Sequence, residues 1–145
     1  MTRGNPLSAT SSTPSRQKGG EAVFARIYGA ATLGLNGHVI AVETDISNGL
    51  PSFDLVGLAA TSVKEAKERV RAAVKNSGYE FPMRRLTVNL APADLKKDTA
   101  GLDLSLAVAI LVSSGQIPEE ACENCLFLGE LALDGRIRPE RHPAH

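Results

Sequence analysis

One stretch limits the possible folds more than any other. From Leu104 to Val112 the chain is apolar apart from Ser105, and the pattern extends from Leu102 to Ser114 before Gly115 and Pro118 end it. This is too long for an ordinary strand and about half the ~20 residues needed to cross a bilayer. It is predicted to be a helix buried against something equally apolar, and no transmembrane helix is expected. Its approach, "KKDTAG" from Lys96 to Gly101, is polar and small. A segment of this shape either presents a reactive group at a helix N-terminus or packs a helix on a sheet.

The remaining pattern supplies the sheet. "VFARIYGAATLG" and "GHVIAVETDI" have β character, the second alternating from Val39 through Val42 to Ile46, with Asn36-Gly37 predicted as the hairpin turn between them. "SNGLPS" leads into a short third strand, "FDLVG", so three antiparallel strands are expected to open the domain. A helix follows. Ser62-Val63-Lys64-Glu65 matches a capping box, and Val63, Ala66, Val70, Ala73 and Val74 form an apolar stripe that Gly78 ends. Glu65 and Arg69 are spaced as an i, i+4 pair on its charged side. In "RRLTVNLAP", Leu86, Val88 and Leu90 alternate with polar residues, and "LFLGELALDGRIR" is predicted to be a hairpin turning at Asp134-Gly135. The order β-β-β-α-β-α-β-β implies an α+β sandwich, two helices on one face of a mostly antiparallel sheet.

Bulk properties narrow the function classes. The chain has 145 residues, enough for one core, with 16 basic and 16 acidic side chains. A net charge of zero argues against a polycation working through charge alone. Two cysteines cannot build a disulfide framework, so a reducing cytoplasm is the expected compartment. Residues 1–21 lack the apolar residues of a core and are expected to be a disordered tail ahead of one domain over 22–139, with 140–145 a truncated C-terminal tail.

Chemical motifs are few. Neither G-x-x-x-x-G-K-[ST] nor a G-x-G-x-x-G opening a helix occurs, so the chain itself is expected to hold no nucleotide. Cys122, Cys125, His142 and His145 superficially form a Cys₂His₂ zinc set, but only two residues separate the histidines where three to five are usual; two reduced cysteines in an ordinary turn is the preferred reading. Lys64, Lys67, Arg71 and Lys75 recur at three and four, a basic row that would meet nucleic-acid phosphates or simply remain solvated. Thr99 and Ser105 are the candidate nucleophiles at the start of the apolar helix, but Lys96 and Lys97 make poor bases at their ordinary pKa of about 10.4. Asp103 is expected to be a first-turn acid favoured by the helix dipole.

Taken together, "ARIYGAATLGLNG", "VETDISNGLPSFDLVGL", "VKEAKERVRAAVKNSGYEFP", "RRLTVNLAPADLKKDTAGLDLSLAVAIL" and "FLGELALDGRIRP" closely resemble the N-terminal domain of the bacterial magnesium-chelatase-like AAA+ ATPases of the YifB/ComM type. The resemblance implies a ribosomal protein S5 domain 2-like fold related to the proteolytic domain of Lon. It implies hexameric ring motors driving DNA branch migration in natural transformation, with ATP and Mg bound by an ATPase domain downstream. The partners it implies are that ATPase domain, neighbouring subunits of the ring and DNA, with no membrane. Relative to Lon-type proteases, Gly101 stands where the nucleophilic serine would be, and the partner lysine has no counterpart before "ERHPAH" ends the chain. The expectation is therefore a non-catalytic accessory domain, here as a fragment; the alternatives are a Lon-like peptidase using Thr99 or Ser105, and a non-functional truncated remnant.

Overall fold

A computed structural model describes residues 23–33, 36–92 and 100–138. Two long strands, β1 (Val23–Leu33) and β2 (Asn36–Ser47), form an antiparallel hairpin. Leu33 pairs with Asn36 and Thr32 with Gly37, so Asn36-Gly37 starts β2 instead of forming the turn. On β2 the buried set is Ile40, Val42, Thr44 and Ile46, whereas Val39 is exposed; the predicted alternation began one residue early. A one-residue shift of this kind exchanges the two faces of a strand.

The third strand departs from the expected meander. β3 (Ser52–Val56) does not pair with β2; it pairs in parallel with β4 (Arg85–Ala91), setting Phe53 opposite Leu86 and Leu55 opposite Val88. Between these strands runs helix α1 (Ala60–Asn76), so β3-α1-β4 is a crossover unit, the connection that parallel neighbours require. β4 lies between β3 and β2 and is antiparallel to β2. A two-residue strand, β5 (Leu126–Phe127), adds to the far edge parallel to β1, completing the order β3-β4-β2-β1-β5. The sheet is mixed: its two long central pairings, β1 with β2 and β2 with β4, are antiparallel, and its two short edge strands, β3 and β5, pair in parallel with their neighbours.

Helix α1 begins at Ala60, two residues before the predicted capping box, and its N-cap Ala59 makes no side-chain hydrogen bond. Its buried stripe is Ala66, Val70, Ala73 and Val74, with Val63 partly buried against the core, as the periodicity predicts. The long apolar segment forms α2 (Asp103–Ser113), in which every residue but Leu104 is buried. A helix apolar on all sides needs cover on all sides. The sheet's inner face, α1 and a small hairpin of β6 (Glu130–Leu131) and β7 (Ile137–Arg138) provide it. Gly135, at φ +95°, sits in the turn of that hairpin, the left-handed conformation that glycine adopts without penalty.

Gly29 sets the distance between α2 and β1. A Cβ there would lie 2.9 Å from Ser105 Cβ and 3.2 Å from Leu102 Cδ2, so a larger residue would push the helix off the strand. On the outer face of β1, Phe24, Arg26 and Tyr28 are solvent-facing, and Arg26 spans Phe24 (5.4 Å to the ring centroid) to reach Glu43 at 2.9 Å. Both helices therefore cover one face of the sheet.

Candidate functional site

The start of α2 is the place where a reactive group would stand. A 3₁₀ turn, Ala100–Leu102, leads into it. Gly101 is buried, and its carbonyl accepts from the Gly129 amide at 3.0 Å, while the Leu104 amide donates to the Gly129 carbonyl at 3.0 Å. One residue of the segment after β5 thus occupies a carbonyl and an amide of the helix entrance. Helix-entrance amides stabilise an oxyanion only when they are free to point at it.

Ser105 does not open onto solvent. Its side chain is 0% exposed, and Oγ donates to the Leu102 carbonyl at 2.9 Å, a local bond back to the preceding turn. Among the described residues no lysine, histidine or carboxylate accepts its proton. Thr99 lies outside the described residues, as do Lys96 and Lys97.

Asp103 has a role that local spacing did not predict. Its carboxylate is 0% exposed and accepts from Arg69 twice, Nε to Oδ2 at 2.7 Å and Nη2 to Oδ1 at 3.1 Å. Oδ2 also accepts from the Leu131 amide at 3.2 Å. One carboxylate therefore ties together α1, α2 and β6. Arg69 is committed to this pair and not to Glu65. Burial pushes the Asp103 carboxyl above the ordinary carboxylate range, while the Arg69 hydrogen bond and the Leu131 amide pull it back. The Arg69 guanidinium is raised, chiefly by its hydrogen bond to Asp103. Both shifts express one arrangement, a dry carboxylate whose partner offsets part of its lost hydration. The signal in the sequence was an acid inside a wholly apolar helix, which must find a partner; which residue that would be was not legible.

The basic row is real as a surface but is not uniformly solvated. Lys64 and Lys75 are exposed. Lys67 Nζ lies 5.4 Å from the Phe53 ring centroid, and the Arg71 guanidinium lies 5.7 Å from Phe53 and 5.2 Å from Phe81. The two rings pack with centroids 5.3 Å apart. Half of the row therefore covers an aromatic pair, with the charged heads resting across the rings. Cys122 and Cys125 are both free thiols, the second exposed, at a turn after a 3₁₀ segment, Glu119–Cys122. Their proposed zinc partners, His142 and His145, lie outside the described residues.

Comparison with known proteins identifies a family and several relatives. Residues 42–143 match the family described as subunit ChlI of Mg-chelatase. The chain is 50% identical over 115 residues to the uncharacterized protein YifB of Salmonella typhimurium, covering 79% of this chain and 23% of that protein. It is 43% identical over 115 residues to the competence protein ComM of Haemophilus influenzae, again covering 79% and 23%. A more distant similarity, 28% over 119 residues, is to the Lon protease of Mycolicibacterium smegmatis, covering 77% of this chain and 15% of that protease. The chain thus spans about a quarter of the length of the YifB and ComM relatives. Among the described residues no helix is long and apolar enough to cross a membrane.

Proposed function

The chain belongs to the family of subunit ChlI of Mg-chelatase, and from that membership we propose that it acts as a non-catalytic accessory domain of a magnesium-chelatase-like AAA+ ATPase. Its fold on this reading is of the ribosomal protein S5 domain 2-like type. Its partners are the ATPase domain and the neighbouring subunits of a ring, and ATP and Mg belong to the ATPase domain. The work of the assembly is DNA branch migration of the kind that serves competence.

The observation that carries the non-catalytic part is the packing at the start of α2. Gly129 holds the Leu104 amide and the Gly101 carbonyl, and the Ser105 hydroxyl is spent on Leu102. The 28% identity to a Lon protease favours one second reading, a Lon-like peptidase. That reading needs Thr99 or Ser105 as nucleophile.

DNA contact along Lys64, Lys67, Arg71 and Lys75 is tested by fluorescence anisotropy with single- and double-stranded oligonucleotides over a range of salt. If all four meet phosphates, the log–log salt slope on duplex should be about −3.6, four contacts at about −0.9 each. Reversing the four charges should then abolish that dependence. An affinity and slope left unchanged by the reversal would sink the basic-row part of the proposal.

A further inference from the structure

Cys122 and Cys125 have no part in the accessory role. The chain leaves the 3₁₀ segment Glu119–Cys122 through Glu123, at φ −65° and ψ 139°, and Asn124, at φ +61°. The Cys125 amide donates to the Cys122 carbonyl at 3.3 Å. These are the angles and the closing bond of a type II turn, with asparagine where the left-handed residue belongs. The first and fourth Cα atoms of such a turn lie within about 7 Å, overlapping the roughly 4.4–6.8 Å that a disulfide spans. The turn therefore brings the two cysteines into the range of Cα separations that a disulfide spans, once the Cys125 thiol turns away from the Ala121 carbonyl, 3.9 Å from its sulfur.

Access is also present. Cys125 is exposed, and Cys122 lines a depression of about 240 Å³ together with Arg26, Tyr28, Glu119, Glu123 and Asn124. Among the described residues no group of three or more ligating side chains could hold a metal ion. Within those residues the pair stands as a dithiol without a third ligand.

We propose that Cys122 and Cys125 form a redox-active dithiol that takes a low-molecular-weight disulfide, such as oxidised glutathione, as its oxidant. The exposed Cys125 thiolate attacks one sulfur of the oxidant; a Cys125–S–SR bond forms, the oxidant's S–S bond breaks, and one thiolate leaves. Cys122 then gives its proton to solvent and attacks the Cys125 sulfur, closing the intramolecular bond and expelling the second thiolate. Two protein thiols lose two electrons, and the oxidant becomes two thiols that take up the two protons. The order follows from accessibility. Burial, with Cys125 and Glu119 nearby, pushes the Cys122 thiol up, which makes it the less ready first attacker and leaves it the intramolecular second step. The closed ring would lock the turn immediately before β5, which pairs with β1 at Tyr28 and Gly29.

The test is intact-mass spectrometry of the 145-residue chain equilibrated in oxidised and reduced glutathione at equal concentrations, alongside the single variants Cys122→Ser and Cys125→Ser. The wild-type chain should lose the mass of two hydrogens as a monomer on a non-reducing gel, with peptide mapping joining Cys122 to Cys125. Cys122→Ser should gain one glutathione on Cys125 and never show the two-hydrogen loss. The proposal is overturned if the wild-type chain keeps both thiols, holds glutathione without closing the ring, or forms covalent dimers, or if Cys125 in Cys122→Ser takes no adduct.

Discussion

Replacing Arg69 by methionine should destabilise the fold in a way that depends on pH. The substitution keeps most of the side chain's length and removes the guanidinium, leaving the Asp103 carboxylate, 0% exposed, with the Leu131 amide as its remaining hydrogen-bond donor. Removing one partner of a buried pair costs about 3–5 kcal/mol, most of it the penalty of an uncompensated buried charge. Arg69 itself is 24% exposed, so the converse change, Asp103→Asn, should cost less, because the guanidinium can turn to water and the amide oxygen can still accept from Leu131. The pH dependence follows from burial, which already raises the Asp103 carboxyl in the folded state. A carboxyl whose folded pKa lies above its unfolded value of about 3.9 contributes stability that is full below that value and lost as pH rises through the folded one. Arg69→Met removes the largest influence holding it down. The variant's deficit should therefore be greatest at neutral pH and shrink as the carboxyl protonates in acid. Urea unfolding followed by far-ultraviolet circular dichroism at pH 7.5 and pH 4.5 measures this, using midpoints at a common slope. A loss under about 1 kcal/mol at neutral pH, or a loss equal at both pH values, would refute the claim that Asp103 is a dry charge held by Arg69.

Three further outcomes are expected. Gly29→Ala should destabilise by about 1–3 kcal/mol, because its new methyl meets Ser105 and Leu102, and thermal unfolding should show a lower midpoint; an unchanged midpoint would mean α2 can move away freely. Thr44→Val should leave stability unchanged or raise it by about 1 kcal/mol, since the Thr44 hydroxyl is buried and its Oγ1 has no hydrogen-bond partner among the described residues; a clear loss in urea unfolding would reveal a partner. Ser105→Ala should cost only about 0.5–1.5 kcal/mol, the worth of its bond to Leu102, and a larger loss in the same assay would show that the hydroxyl does more than close the turn.

How much was legible in the sequence follows from the range of each interaction. Leu86, Val88 and Leu90, the α1 stripe and the Asp134-Gly135 turn were readable because strand alternation, helix periodicity and glycine's φ are local properties. The partner of β3 was not, because nothing within "FDLVG" distinguishes a meander from one half of a crossover; β4, which decides it, begins 29 residues after β3 ends, counting from Val56 to Arg85. The same limit hid the Arg69–Asp103 pair, whose members are 34 residues apart. The capping box failed for a different reason. Helix α1 starts where α2 and the sheet can bury its stripe, and that burial outweighs a cap whose worth is about 1 kcal/mol. At the candidate site the sequence located Gly101, Asp103 and Ser105 around the start of α2, but it could not show that Gly129, more than twenty positions later, bonds to Gly101 and Leu104 there.

The account rests on the start of α2 being packing and not chemistry, and labelling tests that most directly. The chain is incubated with an activated-ester probe, in parallel with a casein substrate, and digested for peptide mapping. The account predicts no adduct on Ser105 or Thr99 and no proteolysis above the buffer control. An adduct mapped to either residue, accompanied by casein cleavage that disappears in the corresponding alanine variant, would contradict it.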